Sequence, residues 1–450
     1  MRSKPSRLPL LLLAVCASAA SAHAQATFDQ VYLFDVTTQP HFPECTLAET
    51  SPGVFYGTAS SGVAAGSPGA LYRVTSAGSL TFIHNFDGAT EGDLPDGSLV
   101  QAADGRLYGV VQGGGSGENG ALFASDLKGN VSVVTSFAGW APGTVTPYSP
   151  IQATNGALYG ALSSSGASPS VVYRLVPGGQ PVALHSFTAD EGEPVGPLMQ
   201  ASDGNLYGLS SIGVYRLTLS GALTTIHTFS GDDGTTPIGN PAQASNGKLY
   251  GVNAFGGANG YGTLFSVSLK GAFTVEHAFT GGGDGGFPLT GTAAADDGNV
   301  YGTTGLGPGS VFRITTSGEF TTVYTFQSFF IGGNPNFDSP AVLQGSDGKL
   351  YGVQTTFGGT VYSLDTGLQP RVPRVAGFKP ASGAPGAHVV LAGANFLGAS
   401  AVMFNGVPAE FVIRNPTYIV AVVPSGATSG PISVTTPNGT AASQQSFTVK

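Results

Sequence analysis

Short stretches of alternating apolar and polar residues, broken by Gly, Asn, Asp and Ser, fill the chain, and no segment carries the periodicity of an amphipathic helix. The pattern predicts an all-β protein of short strands and tight turns. It also repeats. A Tyr-Gly pair returns at Tyr56-Gly57, Tyr108-Gly109, Tyr159-Gly160, Tyr207-Gly208, Tyr250-Gly251, Tyr301-Gly302 and Tyr351-Gly352, spaced 43 to 52 residues apart. A period of this length marks a solenoid or a propeller.

Six of the pairs follow an Asx-Gly step at fixed distance: Asp104-Gly105, Asn155-Gly156, Asp203-Gly204, Asn246-Gly247, Asp297-Gly298 and Asp347-Gly348; Ser51-Pro52-Gly53 takes its place in the first unit. Each step is expected to form a type I′ turn between a first and a second strand. A third strand follows in every unit, from Leu71-Tyr72 in the first to Val361-Tyr362 in the last. A fourth strand ends on Phe86, Phe137, Phe187, Phe229, Phe279 or Phe326, which makes only six. The seventh is supplied from the N-terminal end, where Val31-Tyr32-Leu33-Phe34 has the same pattern. A seven-bladed β-propeller closed by its N-terminal strand accounts for both ends, whereas an open solenoid would need capping repeats. Turns between strands one and two and between three and four are short. The other connections are mostly long, as in Phe255 to Gly262, so the long loops should gather on one face of the disc.

The unit, with its Leu-Val-Gln-Ala-x-Asp-Gly-x-Leu-Tyr-Gly core, Gly-rich loop, Leu-Phe strand and His-x-Phe end, resembles the GloVer-type tandem repeats of exported bacterial proteins over residues 28–366. The resemblance implies export and a repeat fold, and supplies no reaction. Kelch repeats are of similar length, but their Trp positions are missing. Gly367, Pro370 and Pro373 then interrupt the repeat. The remainder resembles an IPT/TIG domain through Phe378-Lys379-Pro380, Val390-Leu391-Ala392-Gly393, Val402-Met403-Phe404-Asn405-Gly406 and Gly430-Pro431-Ile432-Ser433-Val434. That implies an immunoglobulin-like β-sandwich serving as spacer or adhesion module. The expected division is a signal peptide at 1–24, the propeller at 25–366, a linker at 367–373 and the sandwich at 374–450.

Composition adds a compartment. Arg2, Lys4 and Arg7 precede an apolar run from Leu8 to Ala20 and the small-residue site Ala22-His23-Ala24, the pattern of a cleaved secretion signal. The run is shorter than the roughly 20 residues of a membrane span. Cys16 follows Val15, a poor lipobox. Cleavage would leave Cys45 as the one thiol, with no intramolecular disulfide. Loss of the three basic residues takes the formal net charge from −9 to −12, which argues against nucleic acid as a partner. The expected location is extracellular or periplasmic, at the cell surface, for a monomer.

The chemistry-bearing residues point to binding rather than catalysis. His84, His185, His227 and His277 occupy one register on four different blades and should not converge on a metal. No cofactor is expected. Calcium is the one ion that the acidic Gly-rich stretches Asp87 to Asp96, Asp190 to Glu193 and Gly281 to Gly286 suggest, although solvated turns explain their composition. Ser230 to Thr236 resembles the Asp-box of sialidase-like propellers but follows a fourth strand, so it reads as a polar turn. The repeat glutamines Gln101, Gln152, Gln200, Gln243 and Gln344 read as structural hydrogen-bond formers. On the long-loop face, Trp140, Tyr148, Phe255, Tyr261, Phe287, Phe330 and Phe337 lie among Asp93, Glu118, Asp190, Asp233 and Asp338. Trp140, Tyr148, Phe255, Tyr261, Phe330, Phe337, Asp190 and Asp233 are the expected ligand-binding residues, for an extracellular glycan or envelope polymer. The competing readings are aromatics that merely pin loops, an envelope scaffold holding a protein partner, and a polysaccharide lyase or hydrolase with a site assembled from several loops.

Overall fold

The computed structural model describes residues 26–62, 68–114, 119–138, 140, 145–165, 169–305, 309–326, 341–355 and 358–450. The expected signal peptide, Glu118, Phe330, Phe337 and Asp338 lie outside the described residues.

The repeats form seven antiparallel sheets of four consecutive strands, the first of them split in the first three blades. In the seventh sheet the outermost strand is Thr27–Leu33, paired with Thr360–Asp365 so that Tyr32 faces Val361 and Gln30 faces Tyr362. Phe34 lies just beyond that strand, its N–H donating to the Gly359 carbonyl. Each Phe that ends or follows a fourth strand packs on the third-strand aromatic of the next blade. The seven pairs are Phe86 on Phe123, Phe137 on Tyr173, Phe187 on Tyr215, Phe229 on Phe265, Phe279 on Phe312, Phe326 on Tyr362 and Phe34 on Tyr72, with centroids 5.1 to 5.9 Å apart. The last pair joins the final blade to the first. Five of the seven pairs meet edge to face and two are tilted, and the closed ring leaves no strand edge between the ends of the chain.

The repeat signature follows from cross-strand packing. The glycine of each Tyr-Gly pair faces the third-strand aromatic, Gly109 opposite Phe123 and Gly160 opposite Tyr173, and a Cβ there would lie under 3.0 Å from the ring in all seven blades. Only glycine lets the ring lie flat across its neighbour. The preceding tyrosine turns to the other face, where its hydroxyl bonds the Asx of the same hairpin at 2.7 to 3.0 Å in the six blades that have one. In the first blade, which has none, Tyr56 donates to the Leu127 carbonyl instead. The hairpin turns correct the type I′ expectation. Gly105 N–H donates to the Ala102 carbonyl, and only the glycine has positive φ, 86° at Gly105; Asp104 does not. A four-residue turn with a left-handed glycine after it leaves the Asx side chain free to reach the tyrosine, a bond that tightens the hairpin.

Neighbouring blades are latched through the glutamine register. Gln152, Gln200, Gln243 and Gln344 each accept, at Oε1, a backbone N–H from the preceding blade's turn: Ala103, Thr154, Ser202 and Asp296, at 2.8 to 3.0 Å. Their amide groups bond carbonyls nearby, three of them the turn glycine four residues on. Where the ring closes, Glu49 stands in this register and takes Ser346 N–H at 2.8 Å and Ser346 Oγ at 2.7 Å. Burial raises its carboxyl pKa against the lowering effect of those hydrogen bonds. The innermost strands surround a central channel of about 560 Å³ whose walls, including Ser98, Pro150, Pro197, Asn240 and Thr292, carry no charged side chain among the described residues.

From Arg374 the chain forms two further sheets, one of Arg374–Lys379, His388–Ala394, Tyr418–Val422 and Phe411–Asn415, the other built around Gly430–Thr436 and Gly439–Val449. They enclose a core that includes Phe378, Leu391, Phe396, Phe404, Ile432 and Phe447. Asn405 and Gly406, with φ of 45° and 86°, form a tight turn. This sandwich stands on the short-turn face of the propeller. Asn415 Nδ2 donates to Gln101 O and Gln152 Oε1 and Tyr418 Oη to Thr154 O, while Asn438 Nδ2 donates to Ser346 O and Asn395 Nδ2 to Asp296 Oδ2. Among the described residues, no helix is long and apolar enough to cross a membrane.

Candidate functional site

With the sandwich on one face, the opposite, long-loop face is the broad surface left to a partner. Its geometry begins with a motif in the approach to the first strand, a residue followed by proline: Phe42-Pro43, Leu94-Pro95, Thr236-Pro237 and Phe287-Pro288. Each stands fourteen residues before its blade's Tyr-Gly tyrosine. In each, the proline is buried and the residue before it has positive φ: 59°, 50°, 59° and 48°. Pro43, Pro95 and Pro288 wedge against Gly359, Gly69 and Gly262 of the preceding blade, closer than any Cβ there would permit. At these four positions the left-handed backbone before the seated proline costs on the order of 1–3 kcal/mol for a non-glycine residue, whereas Glu193, before the buried Pro194 at the same register of the fourth blade, keeps an ordinary φ. The side chain is thrown outward: Leu94 is 46% exposed and Phe42 37%. Register places these residues at the long-loop end, because Asp93 pairs with Gly113 and Thr235 with Phe255 where the second strands finish.

Around Phe287 the strained position is built into an aromatic cluster. Its ring centroid lies 5.1 Å from that of Phe255 and 5.6 Å from that of Tyr261, and its N–H donates to the Tyr261 carbonyl at 2.8 Å. Gly281 lies against the Tyr261 ring, so that ring is backed on one side. Phe255 and Tyr261 remain 44% and 37% exposed. Exposed rings held by a strained backbone form a rigid apolar platform between the fifth and sixth blades.

Other expected site residues lie elsewhere. Tyr148 is buried, in a core cluster with Tyr159, Phe187 and Tyr215. Trp140 is half-buried, edge-on to Phe137 and Tyr173 at 6.2 and 6.1 Å. Both fill the seam between blades, where a large ring gains more by covering apolar neighbours than by facing water. Asp190 is exposed, in the one-turn helix Ala189–Glu191. Asp233 instead holds its own turn, with Oδ2 3.1 Å from His227 Nε2 and accepting Ser230 N–H.

That contact is one of four. His84 lies 2.7 Å from Glu91, His185 3.0 Å from Glu191 and His277 2.9 Å from Asp284, each pairing a fourth-strand histidine with a carboxylate in the loop to the next blade. The hydrogen bonds of Thr188 and His185 hold the Glu191 carboxyl below its usual pKa although burial, the largest single influence, opposes them; Thr280 and His277 do the same for Asp284. The signal was present in sequence as an acid six or seven residues after each histidine. These pairs explain the acidic Gly-rich loops as clasps. Among the described residues no group of three or more His, Cys, Asp or Glu side chains is placed to hold a metal ion.

Strands of a closed propeller with a docked immunoglobulin-like sandwich define a repeat-propeller class of β-protein. The Gloeobacter/Verrucomicrobia repeat model matches residues 20–170 and 211–401, and the chain belongs to that family. The IPT/TIG domain model matches residues 373–449. Among solved structures the chain is similar to streptogramin B lyase, with 14% identity and a TM-score of 0.57 over 77% of this chain and 99% of that one. It is similar also to a catalytically inactive virginiamycin B lyase from Staphylococcus aureus with quinupristin, at 13% identity and a TM-score of 0.56 over 76% and 99% of the two chains. The extracellular domain of a hybrid two-component system from B. thetaiotaomicron matches at 11% identity and a TM-score of 0.52, over 94% of this chain and 57% of that one. At these identities the likeness is one of fold alone. The comparison with curated proteins found no match.

Proposed function

We propose that the protein is an exported, non-catalytic binding protein whose long-loop face takes an extracellular glycan or envelope polymer. The observation that carries this reading is the left-handed placement of Phe42, Leu94, Thr236 and Phe287 at one register, the first three exposed and Phe287 half-buried against the exposed rings of Phe255 and Tyr261. The left-handed backbone that accompanies each buried proline turns Phe42 and Leu94 to solvent, and apolar knobs around a disc suit a polymer that presents the same chemistry repeatedly. Sugar rings offer apolar C–H faces to aromatic side chains. The basic, apolar N-terminal stretch supports export, and the sandwich, docked on the opposite face, leaves the knobs uncovered.

A glycan array with the chain lacking residues 1–24 tests the reading, followed by affinity measurements on Phe255→Ala, Tyr261→Ala and Leu94→Gly. Each aromatic truncation should weaken binding about tenfold or more, as expected when a stacking contact is lost. Leu94→Gly should weaken binding while raising stability by about 1 kcal/mol, because glycine takes the left-handed conformation without strain. Absence of any glycan ligand, or binding indifferent to all three changes, would overturn it.

A further inference from the structure

Charge is segregated between the two faces of the propeller. Every Lys and Arg from Arg73 to Arg371 lies on a third strand, in a short turn or in the linker. The long connections, from strand four to the next blade and from strand two to strand three, contain neither residue. They hold acids instead, Asp87, Glu91, Asp190, Glu193, Asp232 and Asp284 among them. A face of one sign concentrates partners of the other.

The platform of Phe255, Tyr261 and Phe287 is flanked by this charge on two sides. Gly257 N–H donates to the Gly231 carbonyl, which ties the turn carrying Asp232 and Asp233 to the end of the Phe255 strand. On the other side Gly281 packs on the Tyr261 ring and brings the 281–285 turn, with Asp284, alongside. Asp233 and Asp284 are engaged by His227 and His277, at 3.1 and 2.9 Å, whereas Asp232 is exposed. Because no three His, Cys, Asp or Glu side chains converge among the described residues, the cation that fits is one met by ring faces rather than by a set of ligands. An ammonium group is such a cation, drawn to the negative face of an aromatic ring. In an amino sugar the ammonium is attached directly to a ring whose C–H face can stack on Phe255 or Tyr261, so one unit satisfies both features. A Lys side chain carries the same charge on a flexible stem and loses rotamer freedom in holding it there.

We propose that this platform binds the ammonium of an amino-sugar unit, and that the polymer taken by the long-loop face is an amine-bearing, polycationic glycan. The inference rests on the glycan-binding reading of that face and names the class of glycan.

The test is calorimetric titration of the chain lacking residues 1–24 with the glucosamine hexamer, the N-acetylglucosamine hexamer and octalysine, at about pH 6, where amines and ordinary carboxylates are both charged. The glucosamine hexamer should bind at least about tenfold more tightly than its N-acetylated counterpart, and raising the salt from about 50 to 300 mM should weaken it about threefold or more. Phe255→Ala should lower that affinity about tenfold and Asp232→Asn about threefold. Glu319→Gln, which removes an exposed charge from a short turn of the sixth blade, should leave it unchanged. Equal or tighter binding of the N-acetylated hexamer, lost in Phe255→Ala, overturns the amine and leaves the glycan reading standing. Octalysine binding more tightly than the glucosamine hexamer, with the same dependence on Phe255, overturns the inference in favour of a basic protein partner. Affinity for the glucosamine hexamer that ignores Phe255→Ala, or that falls as far in Glu319→Gln as in Asp232→Asn, reduces the effect to net charge and overturns it, as does no binding of that hexamer.

Discussion

Glu49 closes the ring where the last blade meets the first, and its replacement measures what that closure contributes. Its carboxylate accepts three hydrogen bonds, from Ser346 N–H and Oγ and from Gly53 N–H, at 2.7 to 2.8 Å. Glu49→Ala removes all three acceptors and strands donors in a buried seam. Bonds to charged groups contribute about 1.5–3 kcal/mol each, and their sum is less than additive, so a loss of about 2–4 kcal/mol is expected. For a chain of this size a kcal/mol moves the midpoint by about 2 °C, giving a drop of about 4–8 °C. Glu49→Gln should behave differently, because glutamine makes the corresponding latch in four other blades. The folded state raises the Glu49 pKa, with burial the main cause, so the folded chain binds this proton more tightly than the unfolded one. Stability from this group is then greatest in acid and declines as pH rises through the window above the ordinary carboxylate value. At pH 7 Glu49→Gln escapes that cost and should melt no lower than wild type, an advantage that shrinks toward pH 4. Calorimetric melting of the three proteins across pH 4–8 reads all of this. A midpoint for Glu49→Ala within 1 °C of wild type, or a glutamine variant as unstable as the alanine one, would refute the latch.

Deleting residues 25–36 should leave the Thr360–Asp365 strand unpaired and Tyr72 uncovered by Phe34; gel filtration and circular dichroism should show aggregation or loss of β-structure rather than a folded six-bladed remnant. The depressed carboxyl pKa values of Glu191 and Asp284 mean that their clasps contribute stability above the unfolded carboxylate range and lose it as pH falls through the folded values, so Asp284→Asn should flatten the acid limb of the melting-temperature profile. Burial pushes the Cys45 thiol up to about 11, opposed by hydrogen bonds from Thr58. Ellman's reagent at pH 8 should therefore find no reactive thiol in the native protein and one in denaturant once the leader is gone, with two indicating that Cys16 is retained.

What the sequence by itself determined were the features that recur. Alternation, the Tyr-Gly step and the terminal Phe are local and periodic, and seven copies of each reinforce one register; the displaced fourth strand at Val31 to Phe34 then identifies which ends must meet. Even the turn, assigned the wrong type, was placed at the right residues, because Asx-Gly marks a hairpin whichever of two geometries it adopts. Single residues whose meaning depends on distant neighbours were settled only by the tertiary structure. Tyr148 sits in a loop by sequence and in the core by packing, and Glu49 differs from the glutamines by an atom yet closes the ring across 297 positions of chain. Three of the left-handed knobs, Phe42, Leu94 and Phe287, precede a proline seated against a glycine of the preceding blade, a steric fit that neither residue shows alone. The seat of the sandwich rests on Asn395, Asn415 and Asn438, which belong to no repeat and match their partners only in space. Local pattern decides which strands form, because adjacent residues carry the hydrogen-bonding and burial signals; which surfaces then meet depends on shape and polar complementarity between segments hundreds of residues apart.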